Sequence, residues 1–322
     1  MSHILVIGGG IAGSSVAYWA AQNGHAVTLF DAGLGRASDV PSALINPVRG
    51  QNGHVVPRGI EGMRCVWALV DELASAGFAV PHQRMGVFRP LLDELVRKRW
   101  ETRLPPELSF CWRAASEVPG SPLTPDWHSV LEVSDAGWLC GASFIQALKQ
   151  RYSISSIPAQ VTSWSDRWVT TDEGTWEGDA VVWCGGSWGA TRAGLENPHR
   201  RGSLLQLDRS ISGVPVSFGV YASPAMSGGV LGATFEAPEP SWSDKTVPLR
   251  SLHWLMTKTQ AVFSDLEAEW VGTWTGSRLG GTPQMGLQPE GFWSLSALGS
   301  KGFLLGPMLA EELVRDIELR FA

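Results

Sequence analysis

Residues 4–31 constrain this chain more than any other stretch. Ile4-Leu5-Val6-Ile7 is a continuous apolar run, the pattern of a parallel strand buried on both faces. It leads straight into Gly8-Gly9-Gly10-Ile11-Ala12-Gly13, which satisfies G-x-G-x-x-G. An alanine-rich helical stretch, Ser14 to Asn23, ends at Gly24, a natural helix stop. A second strand, Ala26-Val27-Thr28-Leu29-Phe30, is closed by Asp31. Strand, glycines, helix, strand and acid in this order predict a dinucleotide-binding βαβ unit. Gly8 is expected to turn the chain sharply out of the strand, Gly10 to admit a pyrophosphate to the backbone, and Gly13 to let helix and strand pack closely. The N–H groups and positive dipole end of the helix would face the phosphates. Asp31 is placed to accept hydrogen bonds from ribose hydroxyls; its charge disfavours a 2′-phosphate, while NAD stays open on this motif alone.

Composition narrows the remainder. Over 322 residues, 44% are apolar and 17% charged, which fits a globular enzyme. A net charge of −6 removes a global attraction for nucleic acid or anionic membrane. The basic groups Arg97, Lys98, Arg99 and Arg103, and Arg200 with Arg201, read as solvated helix and loop faces. Cys65, Cys111, Cys140 and Cys184 are scattered without a C-x-x-C pair, so buried free thiols in a reducing compartment are expected, and no metal site. The chain enters a strand after Met1, Ser2 and His3, and no apolar run approaches the ~18 residues needed to cross a bilayer. A cytoplasmic location with no membrane partner is the expectation. Of the sixteen tryptophans, Trp164, Trp168, Trp176 and Trp183 punctuate strand-like segments, where packing is the ordinary role.

Periodicity predicts helices over Ile60–Ala76, with Met63, Val66, Trp67, Val70 and Leu73 on one face, and over Leu91–Glu101, exposed and charged. Further helices are expected over Ala142–Arg151, Leu249–Phe263 and Pro307–Leu319. Strands are expected at Gly86–Arg89, Val161–Trp164, Trp168–Thr171 and Ala180–Cys184, in short runs within Ser203–Thr234, and at Phe292–Ser296. Gly33–Pro47 and Pro105–Pro125 read as irregular loops. Both ends look α/β and the middle antiparallel. The predicted class is therefore α/β (α+β): a Rossmann-like cofactor domain (1–80, 133–205 and 273–322) interleaved with a mainly antiparallel-sheet substrate domain (81–132 and 206–272).

Further islands accompany the βαβ unit: Ala37-Ser38 with Pro41 to Pro47; Asp179 to Trp188, containing Gly185-Gly186; Gly232-Ala233-Thr234-Phe235-Glu236; and Leu298 to Pro307, followed by Ala310-Glu311-Glu312-Leu313. On these the chain resembles the D-amino acid oxidase/glycine oxidase superfamily of FAD-dependent oxidoreductases. Within it, the nearest likeness is to the flavin domain of bifunctional tRNA 5-methylaminomethyl-2-thiouridine biosynthesis proteins. The resemblance runs from Ile4 to Val314. It implies FAD, and a Rossmann-like domain that binds it. By resemblance, the βαβ unit would contribute Gly8, Gly10, Ile11, Ala12, Gly13, Asp31 and the adjoining Ala32. The loop beside the flavin ring would contribute Ser38, Ser42 and Ala43. The segment near the ADP half would contribute Gly185, Gly186 and Trp188, with Val161, and the last island Gly299, Ser300, Lys301, Gly302 and Phe303 at the pyrimidine edge of the flavin.

The implied activity is oxidation of the C–N bond of an amino acid or N-substituted glycine-like amine, with hydride passing to the flavin and the imine hydrolysing. Arg278 stands where relatives carry an arginine that anchors the substrate carboxylate. Lys301, with backbone N–H groups at a helix start, would stabilise charge on the reduced flavin. Three departures stand out. Ala43 replaces a usual glycine; the stretch from Leu279 to Met285 is short and lacks the relatives' aspartate; and no histidine or second arginine occupies Gly299–Gly302. A small amine or amino acid is the expected partner. Oxidation of a carboxymethylaminomethyl group on a tRNA wobble uridine is an alternative, compatible with the resemblance and disfavoured by net charge. Another flavin reductase or hydroxylase is a second alternative, although only one G-x-G-x-x-G is present, and a non-catalytic flavin-binding protein is a third. No oligomeric state follows from the residues.

Overall fold

His3–Ile7 sits inside a six-stranded sheet because its side chains are apolar on both faces. In the computed structural model, which describes residues 1–35, 37–50, 52–124 and 126–321, Ile4, Leu5 and Val6 have no exposed surface. Pro125 and Ala322, which end the expected proline-rich loop and cofactor segment, lie outside the described residues, as do Arg36 and Gln51. The sheet order is Ser155–Ile157, Ala26–Phe30, His3–Ile7, Ala180–Trp183, Trp293–Ser296 and Gln284–Leu287. The first five strands are parallel, and the last is an antiparallel edge.

Side chains alternate across this sheet, so its two faces carry different cores. Ile4 and Val6 pack with helix α1 (Ile11–Gln22) and with Leu313, Val314 and Ile317 of the last helix. Leu5 and Ile7 pack under a three-stranded meander, Val161–Trp164, Trp168–Thr171 and Gly174–Glu177. There Trp164 stacks on Trp183 with centroids 6.5 Å apart, and Trp176 meets Phe30 edge-on at 5.2 Å. The tryptophans at these positions pack, as expected; Trp168 is the one that stays exposed.

The remaining helices are α2 (Gly59–Ser75), α3 (Glu94–Glu101), α4 (Gly141–Arg151), α5 (Gly186–Arg192), α6 (Leu249–Val262) and α7 (Gly302–Phe321). A second sheet of eight strands runs Trp270–Leu279, His199–Leu207, Gly229–Gly232, Val220–Pro224, Val216–Phe218, Val87–Leu91, Ser129–Val133 and Phe110–Arg113. Every pairing in it is antiparallel except that of Val216–Phe218 with Val87–Leu91. It takes strands from His199 and through to Leu279, beyond the expected limits at 205/206 and 272/273. The fold is thus mixed α/β, a Rossmann-like sheet joined to a mainly antiparallel one.

Several local expectations change. α1 begins at Ile11, three residues early, directly after the glycines. α7 begins at Gly302, so the stretch to Pro307 is helix, not loop. Its glycines serve close packing: a Cβ on Gly302 would stand 3.0 Å from Ile11 Cγ2. Pro307 lies inside the helix, and its carbonyl accepts from Trp19 Nε1 at 2.8 Å. Gly33–Pro47 contains a strand, Ala43–Ile45, paired with Gly137–Leu139. Pro105–Pro125 contains the strand Phe110–Arg113 and a 3₁₀ turn at Ala115–Glu117. Such three- and four-residue strands are too short to show an alternation of their own.

α3 is ion-paired on its surface, Arg97 with Glu101 at 3.0 Å and Lys98 with Glu94 at 3.7 Å, but its Trp100 is fully buried. Arg201 is also buried, so of the pair expected on a solvated face only Arg200 is exposed. The cysteines are free thiols, two buried (Cys140, Cys184) and two half-buried (Cys65, Cys111). No helix of the described residues is long and apolar enough to cross a membrane.

Candidate functional site

Three cavities of about 170, 130 and 370 Å³ lie in a row along the carboxyl ends of the first sheet's strands and into the second sheet. They share walls. Gly8, Asp31, Leu34 and Gly185 line both the first and the second; Ile11, Ala37, Ser38, Arg278, Gly299 and Gly302 line both the second and the third. Together they form one elongated site. In open parallel sheets this is where ligands sit.

Backbone builds the middle cavity. Gly8 has φ +102°, a left-handed turn that a side chain would strain, and a Cβ there would meet the Cys184 carbonyl oxygen at 2.4 Å. Gly13 packs so closely that a Cβ would stand 1.8 Å from the Gly8 oxygen. Both geometries match the turning and packing tasks expected of these glycines. Gly10 precedes α1 with no side-chain cap, while Ser38 Oγ accepts from Ile11 N at 3.0 Å. Asp31 stands against the glycine loop, its Oδ2 2.5 Å from where a Gly9 Cβ would be, and its Oδ1 accepts from Gly33 N at 3.1 Å.

Side chains build the large cavity. Its wall includes Arg49, Arg89 and Arg278 and, among the described residues, contains no Asp, Glu, His or Lys. Arg278 projects from Trp270–Leu279, where Gly202 on the paired strand makes room: a Cβ there would meet Arg278 Nη2 at 2.7 Å. The guanidinium lies over the Phe235 ring at 5.3 Å. Its Nε and Nη2 are shut off from solvent, without a hydrogen-bond partner among the described residues. Burial lowers its pKa below the ordinary arginine value, and Arg49 and Arg200 push the same way. Nearby, Tyr221 donates to the Ser42 carbonyl at 3.2 Å; burial raises the phenol's pKa, so it stays protonated. Ser42 Oγ bonds Ser223 Oγ at 2.9 Å.

The structure gathers nearly all the sequence-derived candidates. Gly8, Gly10, Ile11, Ala12, Asp31, Ser38, Gly185, Gly186, Gly299 and Gly302 line the middle cavity, and Arg278 with them. Ala32, Val161 and Trp188 line the first, and Ser42, Ala43, Ser300 and Phe303 the largest. Gly13 lies behind the wall as a packing glycine. Lys301 lines none of the three; burial lowers its pKa, with a smaller push from Arg49. Arg49 instead stands on the wall and donates to Ser300 Oγ.

Sequence reading missed Arg49, Arg89, Tyr221 and Trp274. One signal was available: Val87–Leu91 is buried at every position, Arg89 included, and a charge in such a strand marks a special site.

Residues 3–315 match the family model described as "FAD dependent oxidoreductase" (DAO). The tRNA 5-methylaminomethyl-2-thiouridine biosynthesis bifunctional protein MnmC of Caulobacter sp. (strain K31) is 28% identical, over 98% of this chain and 54% of that protein. The chain thus spans about half the length of this relative. Among solved structures, iminodiacetate oxidase (IdaA) from Chelativorans sp. BNC1 superposes with a TM-score of 0.85 at 20% identity, covering 98% of this chain and 95% of that one. Glycine oxidase from Geobacillus kaustophilus gives 0.82 at 21% identity, covering 99% and 95%. The chain belongs to the DAO family of FAD-dependent oxidoreductases.

Proposed function

We propose that the chain oxidises the C–N bond of a small amine that carries a carboxylate, an amino acid or an N-substituted glycine. The carrying observation is Arg278, whose enclosed guanidinium faces the large cavity without a carboxylate partner among the described residues. A buried cation without a counter-ion is costly unless a ligand supplies one, and a guanidinium matches a carboxylate with two parallel hydrogen bonds.

The chain of cavities fits an extended FAD. The start of α1, beyond the Ile11 N–H that Ser38 holds, and the bare Gly10 would take the pyrophosphate, Asp31 the adenosine ribose, and Ala32, Val161 and Trp188 the adenine end. Ser38, Ser42 and Ala43 would flank the flavin, with Gly299, Ser300, Gly302 and Phe303 along its edge. Bound FAD supplies the hydride acceptor. Arg278 would hold the substrate carboxylate and so fix the α-carbon. Arginines on the wall disfavour an ammonium beside them, which keeps the amine neutral; no general base is then required, and no Asp, Glu, His or Lys among the described residues lines the cavity. Loss of hydride from carbon leaves an iminium cation, and water hydrolyses it to a carbonyl compound and a protonated amine.

The test is anaerobic mixing of the FAD-loaded protein with glycine, sarcosine, iminodiacetate and D-amino acids. Bleaching of the flavin absorbance by at least one is expected. Bleaching by NADPH without any amine would overturn the reading. A tRNA-borne glycine-like group is the second reading, supported by the likeness to the tRNA-modifying relative over 98% of this chain. Absence of tRNA binding at low salt would remove it.

A further inference from the structure

The large cavity carries more positive charge than one carboxylate requires. Arg89 is 4% exposed and is held by the fold: Nη1 donates to the Val48 carbonyl at 3.3 Å, Nη2 donates to that of Gly50, and the guanidinium lies over the Trp100 ring at 5.3 Å. Those two carbonyls belong to the neighbours of Arg49. Arg89 therefore clamps the turn that presents Arg49, a hairpin in which Val48–Arg49 pairs with His54–Val55 and Gly50 takes φ +61°. Arg49 itself reaches the cavity wall, donates to the Ser300 hydroxyl, and forms no ion pair with a carboxylate among the described residues. Its field is felt by both Arg278 and Lys301.

With Arg89 engaged by its two carbonyls, two further guanidiniums from separate elements share a partly apolar cavity whose wall has no acidic residue among the described residues. Their mutual repulsion is relieved fully only by two negative charges, since the low dielectric of the wall strengthens both interactions. Each guanidinium also offers planar paired donors suited to a carboxylate. We propose that Arg49 forms a second anion subsite in this cavity, so that the preferred substrate is an N-substituted glycine whose substituent bears its own carboxylate or similar anion. The proposal rests on the amine-oxidising reading of the site. Arg89 is its positioning residue, and Arg278 takes the first carboxylate.

Binding and oxidation can be tested apart. Thiodiacetate has a sulfur in place of the amine nitrogen and no C–N bond to oxidise; its monoamide keeps the shape and loses one charge. Titrated into the FAD-loaded protein and followed by the shift in flavin absorbance, thiodiacetate is expected to bind at least about tenfold more tightly, an effect of about 1.4 kcal/mol. Arg49→Gln should reduce that ratio to within about threefold, and Arg49→Lys, which keeps the charge without the paired donors, should fall between. Equal affinity of the two ligands for the unaltered protein would overturn the subsite. So would a preference that survives Arg49→Gln. Should Arg49→Gln fail to retain FAD, the unaltered protein and Arg49→Lys still decide. In parallel, iminodiacetate is expected to bleach the flavin faster than its monoamide. If neither amine bleaches it while the thiodiacetate preference holds, the subsite stands and the oxidase reading falls.

Discussion

The two ends of the joined site are made by opposite means. From Gly8 to Asp31 the end proposed for the cofactor consists of backbone and absent side chains, contiguous in sequence and closely packed: a Cβ added to Gly13 would stand 1.8 Å from the Gly8 oxygen. The large cavity is walled by side chains drawn from the 37–50 segment, from Val87–Leu91 and from Trp270–Leu279, and its arginines have no carboxylate partner among the described residues. The first region spends structure on close fit and leaves N–H groups for a ligand. The second retains buried cations at a cost in stability. The same change in side-chain size or charge should therefore act on stability in opposite directions at the two ends.

The largest effect is expected at the cofactor end. Gly13→Ala adds a methyl group where there is no room, forcing α1 off the strand; it should cost about 3 kcal/mol of stability and abolish FAD retention. Urea unfolding and the flavin absorbance of the purified protein check both. A stable, yellow Gly13→Ala protein would show that the close packing is dispensable. Next is Arg278→Met. Removing the half-buried guanidinium proposed to hold the substrate carboxylate should lower kcat/KM for the best amine by about 10²- to 10³-fold. Yet the FAD-free protein should become more stable, because a buried cation without a counter-ion is replaced by an apolar chain of similar reach. Lower stability with unchanged kcat/KM would make Arg278 structural, and the contrast between the two ends would disappear.

That contrast also explains what could be read beforehand. That Gly8, Gly10, Gly13 and Asp31 come together could be read beforehand because a strand–turn–helix–strand unit is local, and its requirements appear within about thirty residues as a motif. Ser38, Ser42, Gly185 and Gly299 came through family likeness, not through any pattern of their own. Arg49 escaped because nothing local distinguishes it from a solvated loop arginine; only the Arg89 clamp and the Ser300 contact, 40 and 251 positions away, give it a place. Lys301, two residues from Gly299, had the right neighbourhood in sequence, but the 3₁₀ turn at Gly299–Lys301 puts Ser300 on the wall and Lys301 off it. Among elements, α7 was misjudged at its start because glycines that permit helix packing look like loop glycines until the partner helix is known.

The smallest expected effect lies where the two regions meet. His199 begins a strand of the second sheet, and its buried Nδ1 lies 2.5 Å from Ser187 Oγ, which in turn is 2.8 Å from Ser277 Oγ; both serines line the middle cavity. Burial lowers the His199 pKa from its ordinary 6.5, against a weaker opposing pull from Glu239. The folded state thus prefers the neutral ring. Above pH 6.5 both folded and unfolded chains hold it neutral and its contribution is fully present. As pH falls below that value the unfolded chain binds a proton first, and stability is lost until the folded ring also titrates. The steepest contribution one such group can make is about 1.4 kcal/mol per pH unit. Unfolding free energies measured from pH 8 to pH 5 should fall below pH 6.5 in the unaltered protein and fall less in His199→Gln, which can still bond Ser187 but cannot take up the proton. Identical pH slopes would show that the seam between the sheets is held without regard to the charge of His199, leaving Arg278 as the tested charge that separates one end of the site from the other.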